Sequence, residues 1–198
     1  LTDEFPPMVP GKPYLFKYVD TKTAKYKTRY VCNKPRILVV PNFMSDEECD
    51  AIIHEANKTM FRSQVAVYKG SKSSPVDQTR TSSQAWMPHG SPVVDPIVQR
   101  TYDLIDFPHG SAEQMQVLRY QIGQHYAAHN DYFDPKMYGK QTSNRAVTAF
   151  YYLNDVAEGG GTWFPRADGG PVTFDWTSCK GGFQTKPKKG TLAIFYDM

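Results

Sequence analysis

Cysteine is scarce in this chain. Only Cys32, Cys49 and Cys179 occur in 198 residues, an odd number at scattered spacings with no Cys-x-x-Cys pair, which argues against a disulfide scaffold and a thiolate zinc site. Histidine is scarce as well: His54, His89, His109, His125 and His129 are all there are, and none follows His129. Long apolar runs are missing, since no stretch approaches the roughly 18 residues that span a bilayer, and no charged-then-apolar leader opens the chain. It begins at Leu1 rather than Met, so a piece upstream is expected to have been cut off or left out, a targeting segment being one candidate for it. An excess of one sign of charge is also lacking. With 23 basic and 20 acidic residues interspersed, the net charge of +3 makes no electrostatic case for nucleic acid or an anionic membrane as partner.

What is present is core material: 40% of the residues are hydrophobic and 14% aromatic, enough to bury one substantial core in a single domain. Residues 1 to 35 are rich in Pro and Lys with little periodicity and read as an irregular arm, leaving 36 to 198 as the domain. Arg36 to Val40 reads as the first strand. Ser45-Asp-Glu-Glu48 is a capping box ahead of Ile52, Ile53, Ala56 and Met60, which predicts a helix from about 46 to 58. Gly70 to Gln78 is a polar loop, and Asp95-Pro96 opens a second helix with Ile97, Val98, Tyr102 and Ile105 along its apolar stripe.

From Met115 the pattern changes to short β-branched and aromatic segments separated by Gly, Pro, Asn and Asp: 115 to 120, 125 to 131, 146 to 153, 162 to 164, 183 to 186 and 191 to 196. Two helices followed by many strands predict an α+β, mainly β domain, in which helices brace one face of a β-sandwich or jelly roll. Glu158-Gly-Gly-Gly-Thr162 is a turn without the lysine or following helix of a phosphate loop. Asn57-Lys58-Thr59 fits the N-glycosylation pattern, which matters only in a secretory compartment.

The stretch richest in chemistry is Tyr120-Gln-Ile-Gly-Gln-His-Tyr126-Ala-Ala-His129-Asn-Asp131-Tyr-Phe133. If it is extended, side chains at i and i+2 leave the same face, so the His129 imidazole and the Asp131 carboxylate can converge on one cation. Two histidines and a carboxylate with open positions make the facial triad of non-haem Fe(II) oxygenases. These two residues supply two thirds of it. Taken alone, His-x-Asp is equally the signature of a surface ion pair or a hydrogen-bonded structural couple.

Context adds to this reading. Pro41-Asn-Phe-Met-Ser-Asp-Glu-Glu-Cys49, Arg80-Thr-Ser82, Gln116-Val-Leu-Arg-Tyr120, Gly123-Gln-His-Tyr126, His129-Asn-Asp131, Arg145-Ala-Val-Thr148, Tyr152-Leu-Asn-Asp-Val156, Gly159-Gly-Gly-Thr162-Trp-Phe-Pro165 and Lys186-Pro-Lys-Lys-Gly190 occur in that order. In these motifs the sequence resembles prolyl 4-hydroxylases of the plant and algal kind, members of the 2-oxoglutarate and Fe(II)-dependent dioxygenases, over residues 36 to 198.

The resemblance implies a double-stranded β-helix and hydroxylation of peptidyl proline coupled to oxidative decarboxylation of 2-oxoglutarate to succinate and CO2. Fe(II), 2-oxoglutarate, O2 and ascorbate are its cofactors, and a proline-rich or collagen-like peptide is its partner. It implies a secretory location, in the endoplasmic reticulum or Golgi lumen. His129 and Asp131 match metal ligands. Tyr120 and Thr162 match residues that bond the distal carboxylate of 2-oxoglutarate, although a strand aromatic and a turn threonine look the same in sequence. Arg80, Ser82, Glu113, Tyr126 and Arg145 match the walls of a peptide groove. Arginines that donate to carbonyls and aromatics that stack on pyrrolidine suit a polyproline II chain, while a solvated arginine or a core tyrosine is the plainer alternative. The Gly70 to Gln78 loop has the makings of a lid over bound peptide, or of an exposed loop with no role.

The family pattern also implies a second histidine ligand, a lysine that pairs with 2-oxoglutarate and a cysteine partner for Cys179, all beyond the strand at 192 to 196. None is in this sequence. The expectation is a domain whose last segment, with the final strands, is missing, rather than a naturally shortened homologue, and a chain that by itself is a poor enzyme. Gly161, where relatives usually carry a carboxylate or similar side chain, and Trp86 and Trp163 are smaller departures. Two other functions stay open: an inactive proline-rich peptide-binding module, and a small-molecule 2-oxoglutarate dioxygenase.

Overall fold

The computed structural model describes residues 13–14, 28–33, 35–67, 76–169 and 181–196. In chain order its strands and helices are β1 (Pro13–Tyr14), β2 (Thr28–Asn33), β3 (Arg36–Val40), α1 (Asp46–Asn57), β4 (Phe61–Arg62), β5 (Ser83–Met87), α2 (Asp95–Ile105), β6 (Met115–Arg119), α3 (Pro135–Tyr138), β7 (Val147–Tyr152), β8 (Trp163–Phe164), β9 (Phe183–Gln184) and β10 (Thr191–Tyr196). Most of these fall where period and punctuation put them. The irregular arm does not: within it β2 pairs antiparallel with β3, so residues 28 to 33 belong to the sheet. The segment from His125 to Asp131 is not a strand. Only Tyr126 bridges, to Arg80, because a turn at Gly123 (φ +80°) and local hydrogen bonds divert its backbone from a ladder. The polar loop expected as a lid lies outside the described residues except for 76 to 78, and so does Cys179.

All strand pairs are antiparallel. The main sheet runs β1-β2-β3-β10-β7, with β10 central, Leu192 opposite Val40 on one side and opposite Tyr151 on the other. A second sheet is β4-β5-β6, and β8 pairs with β9 as a two-stranded ribbon. The period of two divides β10 between two cores. Leu192 and Ile194 join Leu38 and Val40, the β5 and β6 residues Ala85, Met87 and Val117, and the helix residues Cys49, Ile52, Ile97 and Leu104. Phe195, on the opposite face, packs with Ile37, Ala167 and the ribbon residues Phe164 and Phe183.

The helices begin as their sequences require. Ser45 accepts from the Glu48 amide and Glu48 reaches back to the Ser45 amide, completing the capping box. The same Glu48 carboxylate takes a bidentate pair from Arg100 of α2, at 2.6 and 2.9 Å, so one residue starts α1 and ties it to α2. In α2 the buried stripe is Ile97, Thr101, Tyr102 and Leu104, with Val98 and Ile105 at its margin. No helix among the described residues is long and apolar enough to cross a membrane.

Candidate functional site

The connection between β6 and α3 carries His129 and Asp131, and it is held from both sides. Ala127 N donates to Thr79 O at 2.8 Å and Thr81 N donates to His125 O at 2.9 Å. Beyond Asp131, Asn144 clamps Phe133 by accepting from its amide and donating to its carbonyl. Between these anchors, without a regular strand, His129 Nε2 lies 3.2 Å from Asp131 Oδ1. The convergence expected of an extended i, i+2 pair is therefore reached by loop anchoring.

That spacing suits a shared cation. Two donors each about 2.1 Å from one ion and at right angles to each other stand about 3.0 Å apart. The outer bonds point the same way. Nδ1 of His129 is 2.8 Å from the Ala127 carbonyl, an acceptor, which fixes the tautomer and leaves Nε2 as the ligating nitrogen. A lone pair facing a carboxylate is repelled unless a proton or a metal ion sits between them. Asp131 Oδ2 accepts from Thr148 Oγ1 at 2.8 Å. Burial pushes the Asp131 carboxyl up, but hydrogen bonds from His129 and Thr148 outweigh it and hold the group below the usual carboxylate range. Among the described residues, no cluster of three or more His, Cys, Asp or Glu forms, so these supply two ligands and not a third.

Strand β7 links this pair to the other matched positions. Thr148 and Tyr152 share one face of the strand, and Tyr152 donates its hydroxyl to Thr162 Oγ1 at 2.9 Å while contacting the Thr185 hydroxyl. Thr162 is thus engaged with two buried hydroxyl residues. Tyr120 lies just after β6 and is 41% exposed, with its hydroxyl end beside Ser82 desolvated enough to push its pKa up.

The expected groove residues divide. Arg145 and Glu113 are on the surface and form a bidentate pair at 2.6 and 2.9 Å, which holds the Glu113 carboxyl below its usual range, and the Arg145 guanidinium also lies 4.8 Å from the Phe133 ring centre. Arg80 and Ser82 are instead inside, 6% and 0% exposed. Ser82 spends its hydroxyl on Ser63. Arg80 donates to Gln64 O and Gln116 Oε1 and lies 4.5 Å from the centre of the Tyr126 ring. The guanidinium is drawn inward by two carbonyl oxygens and an aromatic face, so Arg80 and Ser82 differ from the Arg145–Glu113 pair in being buried and internally bonded.

Thr148, Tyr152, Thr185 and Gln116 carry no role in the sequence reading, yet each touches a residue that does. Hydroxyls recurring at period two on an apolar strand, as at 148 and 152, were the available signal. The bond partners of Thr185 and Gln116 lie far away in sequence, which no local pattern reveals.

Comparison with known proteins agrees with the geometry. Residues 115–198 match the model of the 2OG-Fe(II) oxygenase superfamily. The chain is 34% identical over 170 residues to probable prolyl 4-hydroxylase 9 of Arabidopsis thaliana, covering 83% of this chain and 59% of that protein. It is 38% identical over 173 residues to prolyl 4-hydroxylase 5 of the same plant, covering 83% and 58%. It therefore spans under two thirds of the length of these relatives. Among solved structures, the viral collagen prolyl hydroxylase of Paramecium Bursaria Chlorella virus-1, in complex with 2OG, superposes with a TM-score of 0.54 at 28% identity over 84% of this chain and 80% of that one. The chain is thus similar to the 2OG-Fe(II) oxygenase superfamily over residues 115–198 and to prolyl 4-hydroxylases over most of its own length.

Proposed function

We propose that this chain is the catalytic part of a peptidyl-proline 4-hydroxylase, on a jelly roll to which the antiparallel sheets belong, acting on a proline-rich or collagen-like peptide in the secretory pathway. The observation that carries it is the meeting of His129 Nε2 and Asp131 Oδ1 at 3.2 Å inside the segment matched by the superfamily model. His129 and Asp131 would hold Fe(II), and Tyr120 and Thr162 would bond 2-oxoglutarate. When bound, these cofactors supply the activation of O2 needed to hydroxylate a prolyl C–H bond, with 2-oxoglutarate leaving as succinate and CO2. Ascorbate serves as the auxiliary reductant.

The protein's own work is positioning. Thr148 and the Ala127 carbonyl orient the two ligands, the Tyr152 and Thr185 hydroxyls set the Thr162 side chain, and Arg145 with Glu113 and the edge of the Tyr126 ring offers a charged and aromatic surface to the peptide. No side chain need act as acid or base. Among the described residues no third ligand joins His129 and Asp131, and two ligands by themselves should hold iron weakly. Added imidazole, which can take the place of a missing ring, should raise both metal binding and turnover.

The test is mass spectrometry of a proline-rich peptide incubated with the protein, Fe(II), 2-oxoglutarate and ascorbate, with and without imidazole. Gain of one oxygen on proline together with succinate is the expected result. No oxygen gain in either arm, with Mn(II) also failing to bind, overturns the proposal. A second reading is a peptide-binding module that does not use metal, for which the surface pair of Arg145 and Glu113 beside the Phe133 ring would serve as the peptide contact. Calorimetry would then show poly-proline binding that is indifferent to Fe(II) and 2-oxoglutarate.

A further inference from the structure

Arg80 is a cation in an expensive place. It is 6% exposed, no carboxylate among the described residues lies within ion-pair distance of it, and its Nε has no acceptor among them. Burying a charge without a counter-ion costs several kcal/mol unless something compensates. The compensation on view is the Gln64 carbonyl at 2.8 Å, the Gln116 amide oxygen at 3.1 Å and the Tyr126 ring at 4.5 Å.

That ring has a second neighbour. The His129 imidazole stacks on it with centres 3.8 Å apart and planes 25° from parallel. One face of a phenol ring cannot hold an imidazole and a guanidinium at these distances, so they lie on opposite faces. The result is a three-layer stack of guanidinium, phenol and imidazole that ends at a candidate metal ligand. The backbone repeats the connection: Arg80 bridges to Tyr126, and the flanking Thr79 and Thr81 bond Ala127 and His125. Ala127 is also the residue whose carbonyl meets His129 Nδ1.

Resting on the metal-site reading above, we propose that Arg80 is a positioning residue that acts through Tyr126 to hold the plane of the His129 imidazole, rather than a contact for the peptide. A cation–π pair on one face of Tyr126 fixes the ring's tilt, and the tilt fixes the surface on which the imidazole rests. The hydroxyl of Tyr126 has no part in this, whereas the ring is indispensable.

The proposal is tested with Arg80→Met, Arg80→Lys, Tyr126→Phe, Tyr126→Leu and the double variant Arg80→Met/Tyr126→Leu. The first readout needs no metal: ring protons of His129 in the NMR spectrum, at one fixed pH, should be shifted upfield by the stacked ring. The shift should persist in Tyr126→Phe, shrink in Arg80→Met and vanish in Tyr126→Leu. The second is Mn(II) affinity of the folded proteins, which should fall about tenfold in Arg80→Met and Tyr126→Leu. It should fall less in Arg80→Lys and stay near the parent value in Tyr126→Phe. The double variant should be no worse than Tyr126→Leu, because Arg80 works only through the ring.

An unchanged ring shift and Mn(II) affinity in Arg80→Met, with weaker binding of a proline-rich peptide, would overturn the proposal in favour of substrate contact. Lower thermal stability with no change in the ring shift would overturn it in favour of a purely structural role. If the parent protein binds no Mn(II) while Arg80→Met still loses the ring shift, the positioning stands and the hydroxylase reading is the one that fails.

Discussion

At the scale of single residues the candidate site is a set of bonds that each aim a neighbour. Thr148 is the clearest case, since its one hydroxyl donates to the Asp131 oxygen turned away from His129. Thr148→Val keeps the shape and removes the donor. Calorimetry with Mn(II) should show affinity reduced about tenfold, with the melting curve little changed. An unchanged affinity would mean that Asp131 is oriented by the loop alone. His129 and Asp131 were legible in the sequence because imidazole and carboxylate two apart are informative in themselves, and Tyr126 and Arg145 because they sit in matched motifs. Arg80 was legible as important but not as buried: the oxygens that draw it inward come from residues 64 and 116, far away in sequence, and no local pattern carries that.

At the scale of elements, local grammar was enough wherever a helix carried its own start signal. α1 begins at its capping box and α2 at its proline because those signals lie within four residues of the ends they set. Glu48→Ala should test the double duty of that carboxylate. It loses both the cap and the Arg100 fork, and chemical denaturation should show a loss of about 2 kcal/mol, whereas Ser45→Ala, which loses only the cap, should cost about 1 kcal/mol. Strands were less legible. β5 was missed because Ser-Gln-Ala-Trp-Met has no clean alternation, and its identity comes from its pairing with β6.

The ribbon explains Gly161. A Cβ there would stand 2.4 Å from the Thr185 carbonyl oxygen and 2.8 Å from the Gln184 amide nitrogen, so the side chain usual in relatives has no room in this arrangement. Gly161→Ala should force β8 and β9 apart at a cost of about 1–3 kcal/mol. It should also weaken 2-oxoglutarate binding by displacing the Thr162–Thr185 contact, and a variant as stable and as tight as the parent would refute that close approach.

At the scale of the whole molecule, one phenol couples stability to alkaline pH. Tyr151 of β7 is partly buried, packed against the core beside α2 with its hydroxyl 2.7 Å from Thr101, and desolvation pushes its pKa up to about 12. In the unfolded chain a tyrosine ionises near pH 10, so between about 10 and 12 the unfolded state sheds a proton that the folded state keeps. Stability is therefore intact below pH 10 and falls as pH rises through that window, by at most about 2–3 kcal/mol from this residue. Tyr151→Phe should lose about 1 kcal/mol at neutral pH with its hydrogen bond. The difference between the two proteins should then shrink and reverse toward pH 12 in denaturant titrations. Burial also pushes Tyr120, Tyr126 and Tyr196 upward, which steepens both curves alike and leaves their difference to Tyr151.

The central place of β10 has a consequence for how the molecule is made. β3 and β7 do not touch each other in the sheet: β3 has β2 on one side, and its other side, like the paired side of β7, meets only β10. During synthesis the earlier strand must wait for about 150 residues to leave the ribosome before its neighbour exists, with one ladder edge open throughout. Birth of this protein thus carries a period of stickiness that lasts until β10 has emerged, and a helper that shields nascent β3 over that interval should raise the yield of native chains.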